Sequence, residues 1–105
     1  VFGLVVHFTC ADEAAAAGFD QLATETVELI RRHEPGTLVY AVHRIEGHPR
    51  VRVFYELYRD RAAFDEHERQ AHTRRFLISR NQYLAGEPTV EFLTLQVSKG
   101  VDRGC

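Results

Sequence analysis

LVYAVHRIEGHPRVRVFYELY, residues 38–58, decides the fold. Two runs rich in β-branched and aromatic side chains, Leu38–Ile45 and Arg50–Tyr58, flank the turn formers Gly47-His48-Pro49. Such side chains suit a pleated strand, and a link this short closes a hairpin, so the runs are antiparallel neighbours. Upstream, Glu34-Pro35-Gly36 stops a helix, because proline cannot continue one and disfavours helical geometry in the residue before it. Behind that stop, Phe19, Leu22, Thr26, Leu29 and Ile30 recur at a helical period, and Arg31, Arg32 and His33 put cations where the helix dipole favours them. Thr9-Cys10-Ala11-Asp12 has the pattern of a capping box and is expected to open this helix. Apolar Val1–Phe8 reads as the first strand.

Downstream, Asp60 caps a helical stretch running from Arg61 to about Leu84, with a break expected near His72. Phe64, His67 and Ala71 share a face of its first part; Phe76, Leu77, Arg80 and Leu84 share one of its second. Ala85-Gly86-Glu87-Pro88 closes it, and Thr89–Val97 reads as the last strand. The order is β-α-β-β-α-β: an α+β, ferredoxin-like domain with a four-stranded antiparallel sheet over residues 1–97, followed by a polar tail, 98–105.

Alternation assigns the sheet's faces. Phe2, Leu4, Val6 and Phe8 point one way and Val5 and His7 the other; Val51, Val53, Tyr55 and Leu57 oppose Arg52, Phe54, Glu56 and Tyr58. Leu93, Leu95 and Val97 oppose Val90 and Phe92. Two helices cover only one face, yet both faces are apolar. A second copy packed on the open face, forming a homodimer, is the expected solution.

Composition excludes several classes. The 105 residues carry 13 basic and 15 acidic side chains, a net charge of −2, which gives no drive toward nucleic acid or an anionic membrane. No apolar run reaches the roughly 18–20 residues of a membrane span, and Val1–Phe8 lacks the basic flank and cleavage site of a secretory signal. Cys10 and Cys105 form no paired motif, so a reducing cytoplasm is the expected location. No glycine-rich phosphate loop, flavin fingerprint or Ser/His/Asp pattern is visible, and no cofactor is expected. His67 and His72, five apart, stand about 140° apart on a straight helix, so no metal site is expected either, although a break between them would change that angle.

His33-Glu-Pro-Gly-Thr-Leu-Val-Tyr40, then Phe54-Tyr-Glu-Leu-Tyr58, then Ala62-Ala-Phe64, His67, His72 and Phe76, resembles the antibiotic biosynthesis monooxygenase family in joint order and spacing. The resemblance implies a dimeric α+β barrel with a pocket between sheet and helices in each subunit. Its members include cofactor-free oxygenases of aromatic phenols and quinols, haem-degrading enzymes and an isomerase, so it constrains fold more than reaction. The haem-degrading branch uses an Asn, a Trp and a His where this chain has His7, His67 and Arg80, which disfavours haem degradation.

Within that frame His67, His7 and Glu56 are the candidate catalytic groups, and Arg80, Tyr40, Phe54, Phe64 and Phe76 the candidate substrate contacts. His67 sits on an inward helix face and can move a proton near neutral pH, or be a satisfied core histidine. His7 enters the pocket if its strand face meets the helices. Glu56, among aromatics, is costly to bury unpaired and either orients an imidazole or forms a structural pair. Arg80, on an apolar face, needs an anionic partner, which is a ligand's phenolate or a protein carboxylate. Tyr40, Tyr55, Tyr58 and Phe54 stack on a flat ligand or pack as core. Cys10, beside a helix start, has the setting of a lowered thiol. The leading expectation is cofactor-free oxygenation of a quinol or polyketide-like aromatic. The alternatives are isomerisation of a small carbonyl compound and a non-catalytic ligand-binding dimer.

Overall fold

A computed structural model describes residues 1–101; Cys105 and the end of the expected tail lie outside the described residues. The elements are β1 (Phe2–Thr9), α1 (Glu13–His33), β2 (Thr37–Ile45), β3 (His48–Tyr58), α2 (Arg61–Arg69), α3 (Ala71–Ser79), a 3-10 turn (Arg80–Tyr83) and β4 (Thr89–Leu93). The sheet order is β2-β3-β1-β4, antiparallel throughout, the expected ferredoxin-like α+β arrangement with an open sheet.

The hairpin is tighter than the turn residues imply. Ile45 pairs with His48, and Gly47, at φ 82°, supplies the left-handed residue that the reversal needs. Helix α1 starts later than the capping-box pattern suggests. Thr9 still belongs to β1, and Asp12 is the cap, its Oδ1 accepting from the Ala15 amide at 2.7 Å. The second helical stretch breaks at Gln70, whose ψ of 141° is extended. That break turns Ala71 outward, away from the face it was expected to share with Phe64 and His67, and Leu77 is exposed as well. Strand β4 stops at Leu93 rather than Val97, because Leu93 already pairs with Gly3, near the start of β1, and no partner strand continues beyond it.

All helices lie on one face. Phe8 and Phe54 from the sheet meet Phe19 of α1 and Phe76 of α3, with ring centroids 4.7–6.3 Å apart. Such aromatic clusters combine large buried area with favourable edge and tilted contacts. The opposite face carries Val5, Val39, Ala41, Val53 and Tyr55, half-buried, with Leu93 exposed at its edge. Among the described residues no helix is long and apolar enough to cross a membrane.

Gly36 lets the chain pass close under α2. A Cβ there would lie 2.7 Å from the Ala63 Cβ, and the Gly36 carbonyl accepts from the Arg59 amide at 2.9 Å. This corner joins the end of α1 to the start of α2 and so sets the geometry of what lies beneath it.

Candidate functional site

Glu34 is the half-helical residue that caps the end of α1, held there because its amide still bonds the Ile30 carbonyl while Pro35 blocks another turn. Its carboxylate is buried and gathers three donors. Oε1 accepts from His67 Nδ1 at 2.8 Å and from the Thr37 hydroxyl at 2.7 Å; Oε2 accepts from His72 Nε2 at 2.5 Å. The side chains of Glu34, His67 and His72 are only 2%, 4% and 7% exposed. The break at Gln70 makes this possible, since it lets two imidazoles on consecutive helices reach one carboxylate that a straight helix would have kept apart.

Burial alone would push the Glu34 carboxyl up. The hydrogen bonds from His67, Thr37 and His72 outweigh it and hold the group below the usual carboxylate value. With the carboxylate accepting, His67 donates from Nδ1, and Nε2 is the nitrogen left without a hydrogen-bond partner among the described residues. The ring lies against Tyr58 and Tyr40, at 5.3 and 5.4 Å between centroids.

Beneath it the sheet contributes a second polar group. Glu56 stands between Tyr40 and Leu4 in register, on the helix-facing side of central strand β3. It accepts from the Tyr58 hydroxyl at 2.6 Å, and burial pushes its carboxyl up to about 6, partly opposed by that bond and by His67. Burial also drives the Tyr58 and Tyr40 hydroxyls well above the ordinary phenol value, with Glu56 adding to both, so they stay protonated donors. Arg80 enters from the 3-10 turn, its guanidinium carbon 5.5 Å from the Phe8 ring centroid. Its Nε is buried with no hydrogen-bond partner among the described residues, and burial lowers its pKa against the pull of Tyr40 and nearby carboxylates. Tyr40 and Glu56 interact electrostatically with Arg80, and both neighbour His67.

The structure thus brings together His67, Glu56, Tyr40 and Arg80, with Phe64 beside Tyr58 and His67. It does not bring in His7. That ring projects from the open face, 43% exposed and 3.9 Å from Glu91, because the helices cover the face of Phe2, Leu4, Val6 and Phe8 instead. Nor does Glu56 orient His67; Glu34 holds that position. Phe54 and Phe76 are buried among other rings in the core. Tyr55 lies on the open face. Cys10 is fully buried, and burial raises its thiol, with Arg52 only partly opposing, so the lowered thiol expected beside a helix start is not what the structure gives.

Two cavities border the cluster. A groove of about 1000 Å³ runs between α1 and β2, with Tyr40 and Val42 on its floor and the pair of half-exposed Asp20 and buried Arg52 in its wall. A pocket of about 320 Å³ lies over Glu34 and His67 from the Gly36 corner, rimmed by Arg59 and Arg69. No group of three or more His, Cys, Asp or Glu side chains is arranged to hold a metal ion among the described residues.

Glu34 is the functional candidate that sequence reasoning missed. In the sequence it reads as a helix stop, and its partners lie 33 and 38 residues away. The only hint is an acid directly before Pro-Gly in a chain with histidines on a following helix.

An open antiparallel sheet roofed on one face, with a carboxylate–imidazole pair and a partly buried guanidinium between layers, defines a small α+β protein of the ferredoxin-like class. The chain belongs to the antibiotic biosynthesis monooxygenase family, whose model matches residues 1–77. A crystal structure of an antibiotic biosynthesis monooxygenase is 27% identical, covering 92% of this chain and 100% of that one, at a TM-score of 0.82. A protein from Caulobacter crescentus CB15 is 25% identical over 90% of each chain, at a TM-score of 0.84. Rv0793 from Mycobacterium tuberculosis, 20% identical over 95% of this chain and 98% of its own, shares the fold at a TM-score of 0.82. Among curated proteins none matches the chain in sequence.

Proposed function

We propose that the protein is a cofactor-independent monooxygenase of electron-rich aromatics, quinols or anthrone-like polyketides, with His67 as the base. The observation that carries this reading is the 2.8 Å bond from His67 Nδ1 to buried Glu34, which leaves Nε2 as a lone pair. His67 Nε2 takes a proton from the substrate, and the Arg80 guanidinium stabilises the resulting phenolate or enolate. The anion passes an electron to dioxygen, recombines with the superoxide to a peroxide, and loses water. For an anthrone methylene the balance is CH2 + O2 → C=O + H2O. His67 gives its proton back to the departing oxygen, which leaves as water, and Glu56, its carboxyl pushed up to about 6 by burial beside His67, relays that proton. Tyr40 offers its ring to the substrate, with Phe64 at the edge of the cluster.

Oxygen uptake with anthrone and quinol substrates, with no metal or flavin added, tests the reading. His67→Ala should abolish turnover, while His7→Ala, on the other face, should retain it. Unchanged turnover in His67→Ala would remove this histidine from the mechanism. Turnover that persists without oxygen would make the same base and cation those of an isomerase. The open face is, in the same reading, the surface of a homodimer, and sedimentation velocity at micromolar concentration should give twice the mass of the chain.

A further inference from the structure

We propose that His72 is a positioning residue for His67, acting through the Glu34 carboxylate they share to keep His67 in the tautomer that can serve as a base. The functional half of this inference rests on the reading of His67 as base; the tautomer half does not.

The argument starts from the carboxylate. A carboxyl group turns about a soft terminal torsion, so one anchored oxygen leaves it free to swing. Here both oxygens are anchored: Oε1 by His67 and Thr37, and Oε2 by His72 at 2.5 Å. His72 is the only donor to Oε2 among the described residues, and it comes from α3, whereas His67 comes from α2. A simple pin between helices would need one bond. Two imidazoles on opposite oxygens instead fix the plane of the carboxylate, and with it the direction in which Oε1 faces His67.

That direction matters because His67 Nδ1 has a second suitor. The Thr73 hydroxyl lies 3.4 Å from the same nitrogen, one residue beyond His72. A hydroxyl can donate as well as accept. While Glu34 stays in place, Nδ1 carries the proton and Nε2 keeps its lone pair. If Glu34 swings away, Thr73 can donate to Nδ1, and the proton moves to Nε2. In that tautomer the nitrogen facing away from Glu34 has no lone pair and cannot accept a substrate proton. The exposed His33 ring stacks 6.2 Å from His72 and offers no bond that would replace it on Glu34.

The test is a long-range proton–nitrogen correlation spectrum of the full chain with labelled histidines, at a pH above the ordinary histidine range. Wild type should show His67 protonated at Nδ1 alone. His72→Ala should shift His67 to a mixture of tautomers or to the Nε2–H form. His72→Gln, whose amide nitrogen reaches about as far as imidazole Nε2, should restore the single form. In oxygen uptake, kcat should fall about ten-fold in His72→Ala with KM little changed, and recover in His72→Gln. If His72→Ala does not fold, His72→Asn, one methylene too short to reach Glu34, serves in its place. A purely structural His72 would lower the melting temperature and leave the His67 tautomer as it was; that result overturns the proposal. A tautomer that shifts as expected in a protein that turns over no aromatic substrate would uphold the positioning and sink the monooxygenase reading.

Discussion

Replacing Glu56 by glutamine should stabilise the protein at neutral pH and not in acid. Burial among the rings of β3 pushes this carboxyl up to about 6 from an ordinary 4.5. A raised carboxyl binds its proton more tightly in the folded than in the unfolded chain. Folding therefore bears a cost wherever the group must be ionised, and the cost fades as pH falls from 6 toward 4.5. The gap of about 1.5 pH units, at roughly 1.4 kcal/mol each, makes the cost about 2 kcal/mol at pH 8 and almost nothing at pH 4. Glutamine never ionises, and its carbonyl can still accept from the Tyr58 hydroxyl that now bonds Oε1 at 2.6 Å. Any fixed gain or loss from the swap is the same at both ends, so the pH dependence isolates the charge. Urea unfolding of wild type and Glu56→Gln from pH 4 to pH 8 measures it directly. The stability difference should move by about 2 kcal/mol in favour of the variant as pH rises. A difference that stays flat across this range would mean that Glu56 is no more reluctant to ionise than a surface glutamate, and the buried-acid argument would fail.

Three further outcomes follow from the same cluster. Glu34→Ala strands two buried imidazoles and the Thr37 hydroxyl and should cost about 3–5 kcal/mol in urea unfolding; a loss under 1 kcal/mol would show that water replaces the carboxylate. In wild type the Glu34 contribution has the opposite sign to that of Glu56, being present above the ordinary 4.5 and lost as pH falls through the lower folded value. Gly36→Ala sets a methyl 2.7 Å from the Ala63 Cβ and should push α2 off the corner, lowering both melting temperature and turnover; an unperturbed melting temperature would mean the corner yields freely. Arg80→Met keeps the apolar stem but removes a buried Nε donor that has no partner among the described residues, so stability should hold or rise by about 1 kcal/mol while oxygen uptake falls; a clear loss of stability would make Arg80 a structural anchor.

The histidines show where sequence reading reached and where it stopped. His67 was legible as inward-facing because Phe64, three residues earlier on the same turn of helix, marks the apolar side. His7 was not, because strand alternation gives two faces and does not say which one the helices cover. The answer depended on Phe8 packing against Phe19 and Phe76, contacts 11 and 68 residues apart in sequence. Glu56 is legible as a buried carboxylate, but the sequence leaves its partner open among the imidazoles and arginines. A neighbour two residues along its own strand, Tyr58, bonds it, and the imidazole went to an acid on another element.

Local patterns determined the elements, their order and the hairpin that pairs β2 with β3, since periodicity, proline and glycine act over a few residues and need no partner. The break at Gln70 was already half visible in the residues around His72. What only the tertiary structure decided is which polar groups meet: Glu34 with two imidazoles, Arg80 with no partner for its Nε among the described residues, His7 on the far side of the sheet. Hydrogen bonds between buried side chains are set by how layers dock, to within fractions of an ångström, and the sequence distance between partners carries no trace of that docking.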